Sequence, residues 1–228
     1  MRLFEGSVVG FDLDNTLIDF MRMKHASVDA ALNAMLGSGL NMTKAAASKK
    51  LYEIYWKEGI EDQKIFQKFI KQVKGTLDYK LLSAGIVAYR KAQAGVLEPY
   101  AQVMPTLIKL REKGLKLAIV TDAPKLRAWI RLTEMRLDPF FDVVVAYEDT
   151  EKKKPDKAPF LAATKQLKVE PEQCMMVGDW PERDIKGAKL LGMKTAFAKY
   201  GATKESTVKA DYTLKRVEEL VYIAEKEK

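Results

Sequence analysis

Apolar positions along this chain follow two rhythms. Ser7–Phe11 is a short, almost unbroken apolar run that stops at Asp12, and such a run predicts a buried strand. The next comparable run, Leu115–Val120, lies far downstream. Between them, from about Phe20 to Glu98, apolar residues recur at helical intervals: Val28, Ala31, Leu32, Met35 and Leu36; Leu51, Ile54 and Tyr55; Ile65, Phe66, Phe69, Ile70 and Val73; Leu81, Leu82, Ile86 and Tyr89. Gly37-Ser38-Gly39, Gly59 and Gly75 supply the breaks between these stripes. The pattern predicts a helical lobe over residues 20–98, inserted into a core made of residues 1–19 and 99–228.

From Val103 onward the rhythm alternates. Helices are expected over Val103–Lys113, Pro124–Met135, Lys157–Leu167 and Pro181–Leu191, and strands over Leu115–Val120, Asp142–Ala146, Met175–Val177 and Lys194–Ala198. A short strand near Tyr212–Leu214 and a helix from Arg216 close the pattern. Strands that are apolar throughout, alternating with helices, argue for an α/β fold with a parallel sheet covered on both faces. In such a sheet ligands gather at the carboxyl ends of the strands. Polar residues follow the apolar runs at three such ends: Asp12 after the first, Thr121-Asp122 after the second, and Gly178-Asp179 after the fourth.

The chemistry of those ends is that of clustered carboxylates. Asp12 and Asp14 stand two residues apart, on one side of an extended chain. Close carboxylates repel, and a hard divalent cation with oxygen ligands relieves the repulsion. A calcium loop starting at Asp12 fails, because Leu17 stands where glycine is needed and Met23 where glutamate is needed. Gly178-Asp179-Trp180-Pro181-Glu182-Arg183-Asp184 brings two more carboxylates around a strand-to-helix turn. Pro181 is suited to open the helix, with Asp184 in its first turn.

Composition narrows the classes further. Lys and Arg outnumber Asp and Glu by 39 to 31, a formal charge of +8, but the basic residues are interleaved with acidic ones in segments such as Lys109–Lys116 and Lys215–Lys228. That mixing speaks against a nucleic-acid footprint, while the positive field suits an anionic metabolite. Cys174 is the only cysteine and lies in an apolar run, so no internal disulfide or thiolate metal cage forms. Glu5 comes too early for a signal peptide and no apolar run approaches a membrane span, so a cytoplasmic protein is expected.

Together these residues resemble the haloacid dehalogenase superfamily over nearly the whole chain. Val9–Leu17 is similar to its first motif and Ile119–Asp122 to its second. Lys154-Pro155-Asp156 is similar to the third, and Gly178-Asp179 through Asp184 to the fourth. The inserted helical lobe matches the cap of subfamily I members. The resemblance implies a Rossmann-like, doubly wound core with strand order 3-2-1-4-5. It implies a phosphatase in which Asp12 is the nucleophile and Asp14 protonates the leaving oxygen, then activates water. Thr121 and the backbone N–H groups of Leu13 and Asp122 would hold the phosphoryl oxygens, and Lys154 would neutralise charge. Mg2+ would be held by Asp12, the Asp14 backbone carbonyl and Asp179, with Asp184 ligating directly or through water. Asp122 departs from the asparagine common at its position, so only its backbone N–H is expected to serve.

Within the superfamily the chain is similar to glyceraldehyde-3-phosphate phosphatase-like members, which implies a sugar- or triose-phosphate substrate handled by a monomer or homodimer. A metal-independent dehalogenase has an aromatic residue where Asp14 stands. A phosphomutase of the β-phosphoglucomutase type shares all four motifs and stays open as an alternative. A phosphonate hydrolase needs a Schiff-base lysine, and nothing singles out Lys24, Lys44 or Lys57. A non-catalytic binding protein is disfavoured because Asp12, Asp14, Lys154 and Asp179 are all present. Phe20, Arg22, Lys24, His25 and Trp180 are further candidates for contact with substrate. For His25 an exposed helix position is the simpler expectation.

Overall fold

The computed structural model describes residues 6–226. Glu5, and the end of the mixed-charge segment that reaches Lys228, lie outside them. The chain divides into two compact units, one formed by the chain up to Asp19 and from Glu98 onward, the other by Phe20–Leu97.

The first unit opens with β1 (Val8–Phe11), every residue of which is buried. Phe20–Leu97 then forms the helical unit from α1 (Phe20–Gly37), α2 (Lys44–Glu58), α3 (Ile65–Lys74) and α4 (Tyr79–Val96). Local chemistry sets their ends. The Thr43 hydroxyl accepts from Ala46 N–H at 3.2 Å to cap α2, and Asp78 accepts from Lys80 and Leu81 N–H at 3.0 and 3.2 Å to cap α4. The apolar stripes of the four helices meet in one core around Leu32, Met35, Leu51, Tyr55, Phe69, Ile70 and Leu81.

Back in the first unit follow α5 (Val103–Glu112), β2 (Lys116–Val120), α6 (Lys125–Glu134), β3 (Val143–Val145) and the single-turn α7 (Tyr147–Thr150). After them come α8 (Lys157–Leu167), β4 (Cys174–Gly178), α9 (Asp184–Lys189), β5 (Lys194–Ala198), β6 (Tyr212–Leu214) and α10 (Glu219–Lys226). The strands form one six-stranded sheet in the order β3-β2-β1-β4-β5-β6, parallel at every pairing. The expected order 3-2-1-4-5 is present, with β6 added at the edge beyond β5. Val8, Ala118, Val120, Val145, Cys174 and Met176 pack with Phe160, Ala163 and Leu167 of α8 to form one of its cores. Cys174 is a free, buried thiol whose pKa burial pushes up to about 12, with Glu172 adding to the rise.

Two expected helix starts move. Pro181 does not open a helix: residues 181–183 form turns and α9 begins at Asp184. The cause is local, since the Asp184 carboxylate accepts from Trp180 N–H at 3.0 Å and folds the intervening residues into a tight loop. The last helix starts at Glu219 rather than Arg216. Short 3-10 turns at Asp138–Phe140 and Pro171–Gln173, and α7, lie in segments to which the sequence pattern assigns no element. Among the described residues no helix is long and apolar enough to cross a membrane.

Phe69 is fully buried in the helical core. Phe69→Ala is expected to destabilise this unit by about 3–5 kcal/mol. Urea unfolding followed by Trp56 fluorescence, in a Trp129→Phe/Trp180→Phe background, measures it, since Trp56 is then the only tryptophan in the chain.

Candidate active site

The central three strands are β2, β1 and β4, so their carboxyl ends lie side by side. Asp12 follows β1 directly, and its N–H donates to the Val177 carbonyl at 2.8 Å, carrying the ladder one residue further. The chain then turns sharply: Leu17 and Ile18 N–H both return to the Leu13 carbonyl, at 2.9 and 3.4 Å. Asn15, inside the turn, adopts φ 58°, a left-handed conformation that asparagine tolerates. Neighbouring segments hold the turn from outside. Tyr200 Oη donates to the Thr16 carbonyl and Tyr100 N–H to the Leu17 carbonyl, each at 2.8 Å. A Cβ at position 201 would lie 1.6 Å from the Asn15 carbonyl oxygen, so only glycine fits there.

Lys154 anchors the charges. Its ammonium donates to Asp12 Oδ1 at 2.6 Å and to the Val120 carbonyl at 2.8 Å, and it pairs with Asp184 Oδ1 at 2.7 Å. Two of its contacts are hydrogen bonds and the third is a close ion pair, since Asp184 Oδ1 has no hydrogen-bond partner among the described residues. Burial alone would lower its pKa, but Asp12, Asp184 and Asp122 together reverse that and raise it, so the cation stays charged. Asp184 reaches this position because residue 178 has no side chain. A Cβ there would fall 2.3 Å from the Asp184 carboxyl carbon.

Asp12, Asp179 and Asp184 are all buried, and each offers an oxygen within 4.8 Å of the others. One lysine does not balance three carboxylates. Burial, and then the charges of Asp12 and Asp184, push the Asp179 pKa up to about 9. Burial also raises Asp184, against the opposing pull of Lys154. Raised carboxylates clustered around hard oxygen donors are what a divalent cation of the Mg2+ or Mn2+ type would relieve, so the donor set fits such an ion. The Thr16 hydroxyl, fully buried, spans the group at 3.5 Å from Asp12 Oδ2 and 3.4 Å from Asp179 Oδ1.

The remaining candidates take separate positions around this cluster. Thr121 N–H donates to the Val145 carbonyl, and its hydroxyl oxygen accepts from Ala123 N–H at 3.1 Å, which leaves its proton to be donated elsewhere. Leu13, fully buried, supplies the carbonyl on which the turn closes. The Asp122 carboxylate accepts from Lys154 N–H at 2.9 Å and pairs with Arg183 at 3.1 Å. Its side chain is therefore fully engaged. Asp14 stands apart from the three-carboxylate group: its Oδ2 pairs with the buried Arg131 at 2.6 Å. Trp180 lies between two cations, Arg183 at 3.8 Å and Lys204 at 4.3 Å from its ring centroid.

In the helical unit, His25 is exposed and bonded through Nδ1 to Tyr52 Oη at 2.6 Å. Lys24 is buried, its ammonium 5.1–5.5 Å from the ring centroids of Phe20, Tyr55 and Tyr89. Thr16, Arg131 and Arg183 had no role in the sequence reading. Thr16 had a signal, a hydroxyl four residues past Asp12. Arg131 had a weaker one, a cation between Ala128 and Leu132 on the buried face of α6.

The Asp179 shift has a stability consequence. With the site free of metal, the folded protein holds a proton that the unfolded chain releases near pH ~4. Stability therefore falls as pH rises from there through about 9. In chelator-treated protein, Asp179→Asn is expected to raise the melting temperature at pH ~8 and change it little near pH ~4, where the wild-type carboxyl is already protonated. Differential scanning fluorimetry across that range checks it; an equal shift at both ends would contradict it.

Residues 9–198 match the family model described as haloacid dehalogenase-like hydrolase. The chain is 34% identical over 215 residues to a glyceraldehyde 3-phosphate phosphatase of Methanocaldococcus jannaschii, covering 93% of this chain and 94% of that protein. It is 29% identical to a phosphoglycolate phosphatase of Aquifex aeolicus, covering 94% of both. Among solved structures, the HAD phosphatase from Thermococcus onnurineus is 28% identical and superposes with a TM-score of 0.70 over 95% of this chain and 97% of that one. The chain belongs to the haloacid dehalogenase-like hydrolase family.

Proposed function

We propose that this chain is a Mg2+-dependent phosphatase that hydrolyses a small phosphorylated metabolite, of the sugar- or triose-phosphate class, through an aspartyl-phosphate on Asp12. The observation that carries the reading is the Lys154 ammonium held between Asp12 and Asp184, beside Asp179, at the ends of β1 and β4. The similar proteins named for glyceraldehyde 3-phosphate and phosphoglycolate support a small substrate. In this reading the helical unit Phe20–Leu97 is the family's cap, which selects among leaving groups.

The chemistry runs in two displacements. An Asp12 carboxylate oxygen attacks phosphorus, the ester P–O bond breaks, and the leaving oxygen takes a proton from the Asp14 carboxyl. Water then attacks the same phosphorus and gives its proton to the Asp14 carboxylate. The bond to Asp12 breaks, releasing phosphate and restoring both groups. Thr121, through its free hydroxyl proton, and the N–H groups of Leu13 and Asp122 hold the phosphoryl oxygens. Lys154 offsets the charge on Asp12 and the transferred group. Asp12, the Asp14 carbonyl and Asp179 would hold Mg2+, which neutralises phosphoryl charge and keeps the group in line. Asp184 already binds Lys154 through Oδ1 and Trp180 N–H through Oδ2, which suits a ligand acting through water.

Purified protein with Mg2+ is expected to release phosphate from an aryl phosphate and from triose phosphates. EDTA and Asp12→Asn are each expected to abolish this, with Asp12→Asn remaining folded by circular dichroism. Asp14→Asn is expected to lose ~10²–10⁴-fold on an alkyl phosphate. An absence of turnover across a panel of phosphomonoesters with Mg2+ present would overturn the reading.

A further inference from the structure

At the sheet edge Asp12, Asp122 and Asp184 each bond or pair with Lys154. Asp14 takes a different cation. It leaves the Asp12–Asp179–Asp184 group and pairs with Arg131, which comes from the last turn of α6. Arg131 is a costly choice at that position. It lies on the helix face that buries Ala128 and Leu132, and its side chain is 3% exposed. A buried guanidinium loses several kcal/mol of hydration, and an apolar residue there would usually pack as well or better. Helix α6 is short and its buried face small, so this residue is a large part of what the helix presents inward. The pair also joins distant parts of the chain, 117 residues apart. Asp14 itself sits on a turn whose next residue is in the left-handed region, and its side chain is 20% exposed, so the turn alone does not fix its rotamer.

We infer that Arg131 is a positioning residue for the reaction: it fixes the Asp14 carboxyl beside the nucleophile's turn and thereby sets how well Asp14 serves the leaving oxygen. This rests on the reading of Asp14 as the proton-transfer group. The guanidinium's planar fork defines the direction of approach to a carboxylate, which a lysine ammonium does not. Its ion pair with Asp14 is the route by which Arg131 would act on turnover.

The test compares kcat/KM for p-nitrophenyl phosphate, whose leaving group departs without a proton, and glycerol phosphate, whose leaving group needs one. Arg131→Met is expected to lose on the order of 10²-fold on glycerol phosphate, and only a small part of that on p-nitrophenyl phosphate. Arg131→Lys, which keeps the charge but not the fork, is expected to recover part of the loss. In an Asp14→Asn background, Arg131→Met is expected to add nothing further. Equal losses on both substrates, or losses that multiply with Asp14→Asn, would overturn the inference and leave Arg131 a general structural residue. If Arg131→Met is unfolded by circular dichroism, Arg131→Lys carries the same two-substrate comparison. Absence of turnover by the wild-type protein on either substrate would be the separate failure of the phosphatase reading.

Discussion

The site depends on one ammonium. Three carboxylates cannot be buried within reach of one another unless something positive is buried with them, and Lys154 is the permanent member of that balance. It donates to Asp12 and the Val120 carbonyl and forms an ion pair with Asp184, so it is bound to the ends of two different strands as well as to the start of α9. The surrounding structure follows from keeping that arrangement dry and close. Gly178 is bare so that Asp184 can approach, and Trp180 N–H occupies the second oxygen of the same carboxylate. Removing Lys154 would leave uncompensated buried charge, the expensive side of any buried pair.

Other cations divide the remaining work. Arg183 takes the Asp122 carboxylate, which would otherwise add a fourth uncompensated negative charge beside the Lys154 cluster. Arg131 takes Asp14. Each acidic residue that the motifs bring to the sheet edge has a distinct electrostatic fate, although all derive from neighbouring strand ends. Adjacent parallel strands are spaced by about 4.8 Å, and that spacing places β2, β1 and β4 termini within reach of a single small anion. The excess of positive charge along the chain matters less to the chemistry than these local pairings.

Much of this was legible in the linear chain. The two rhythms of apolar residues separate the helical unit from the sheet unit, because burial on one stripe and burial on both faces leave different signatures. The strand ends single out Asp12, Thr121, Asp122 and Asp179 because polar residues straight after apolar runs stand at the carboxyl edge of a parallel sheet, where ligands gather. Lys154 was harder, standing at the end of Lys152-Lys153-Lys154, and only its match to a motif distinguished it from its solvated neighbours. Arg131 and Arg183 were not legible at all as partners, since pairing across the fold has no local periodicity. The start of α9 was misplaced for a related reason. Proline's preference for a helix start is a weak local bias, and the side chain of Asp184 overrides it by capping backward onto Trp180.

Gly201 closes against the carbonyl of Asn15, and Thr16 reaches Asp179 across 163 residues of chain. The turn after Asp12 is therefore closed by residues far along the chain, around Tyr200. Such long-range closure costs loop entropy before any contact rewards it. A chain truncated before residue 200 would carry Asp12, the helical unit and β2 without the contacts that close the Asn15–Thr16 turn.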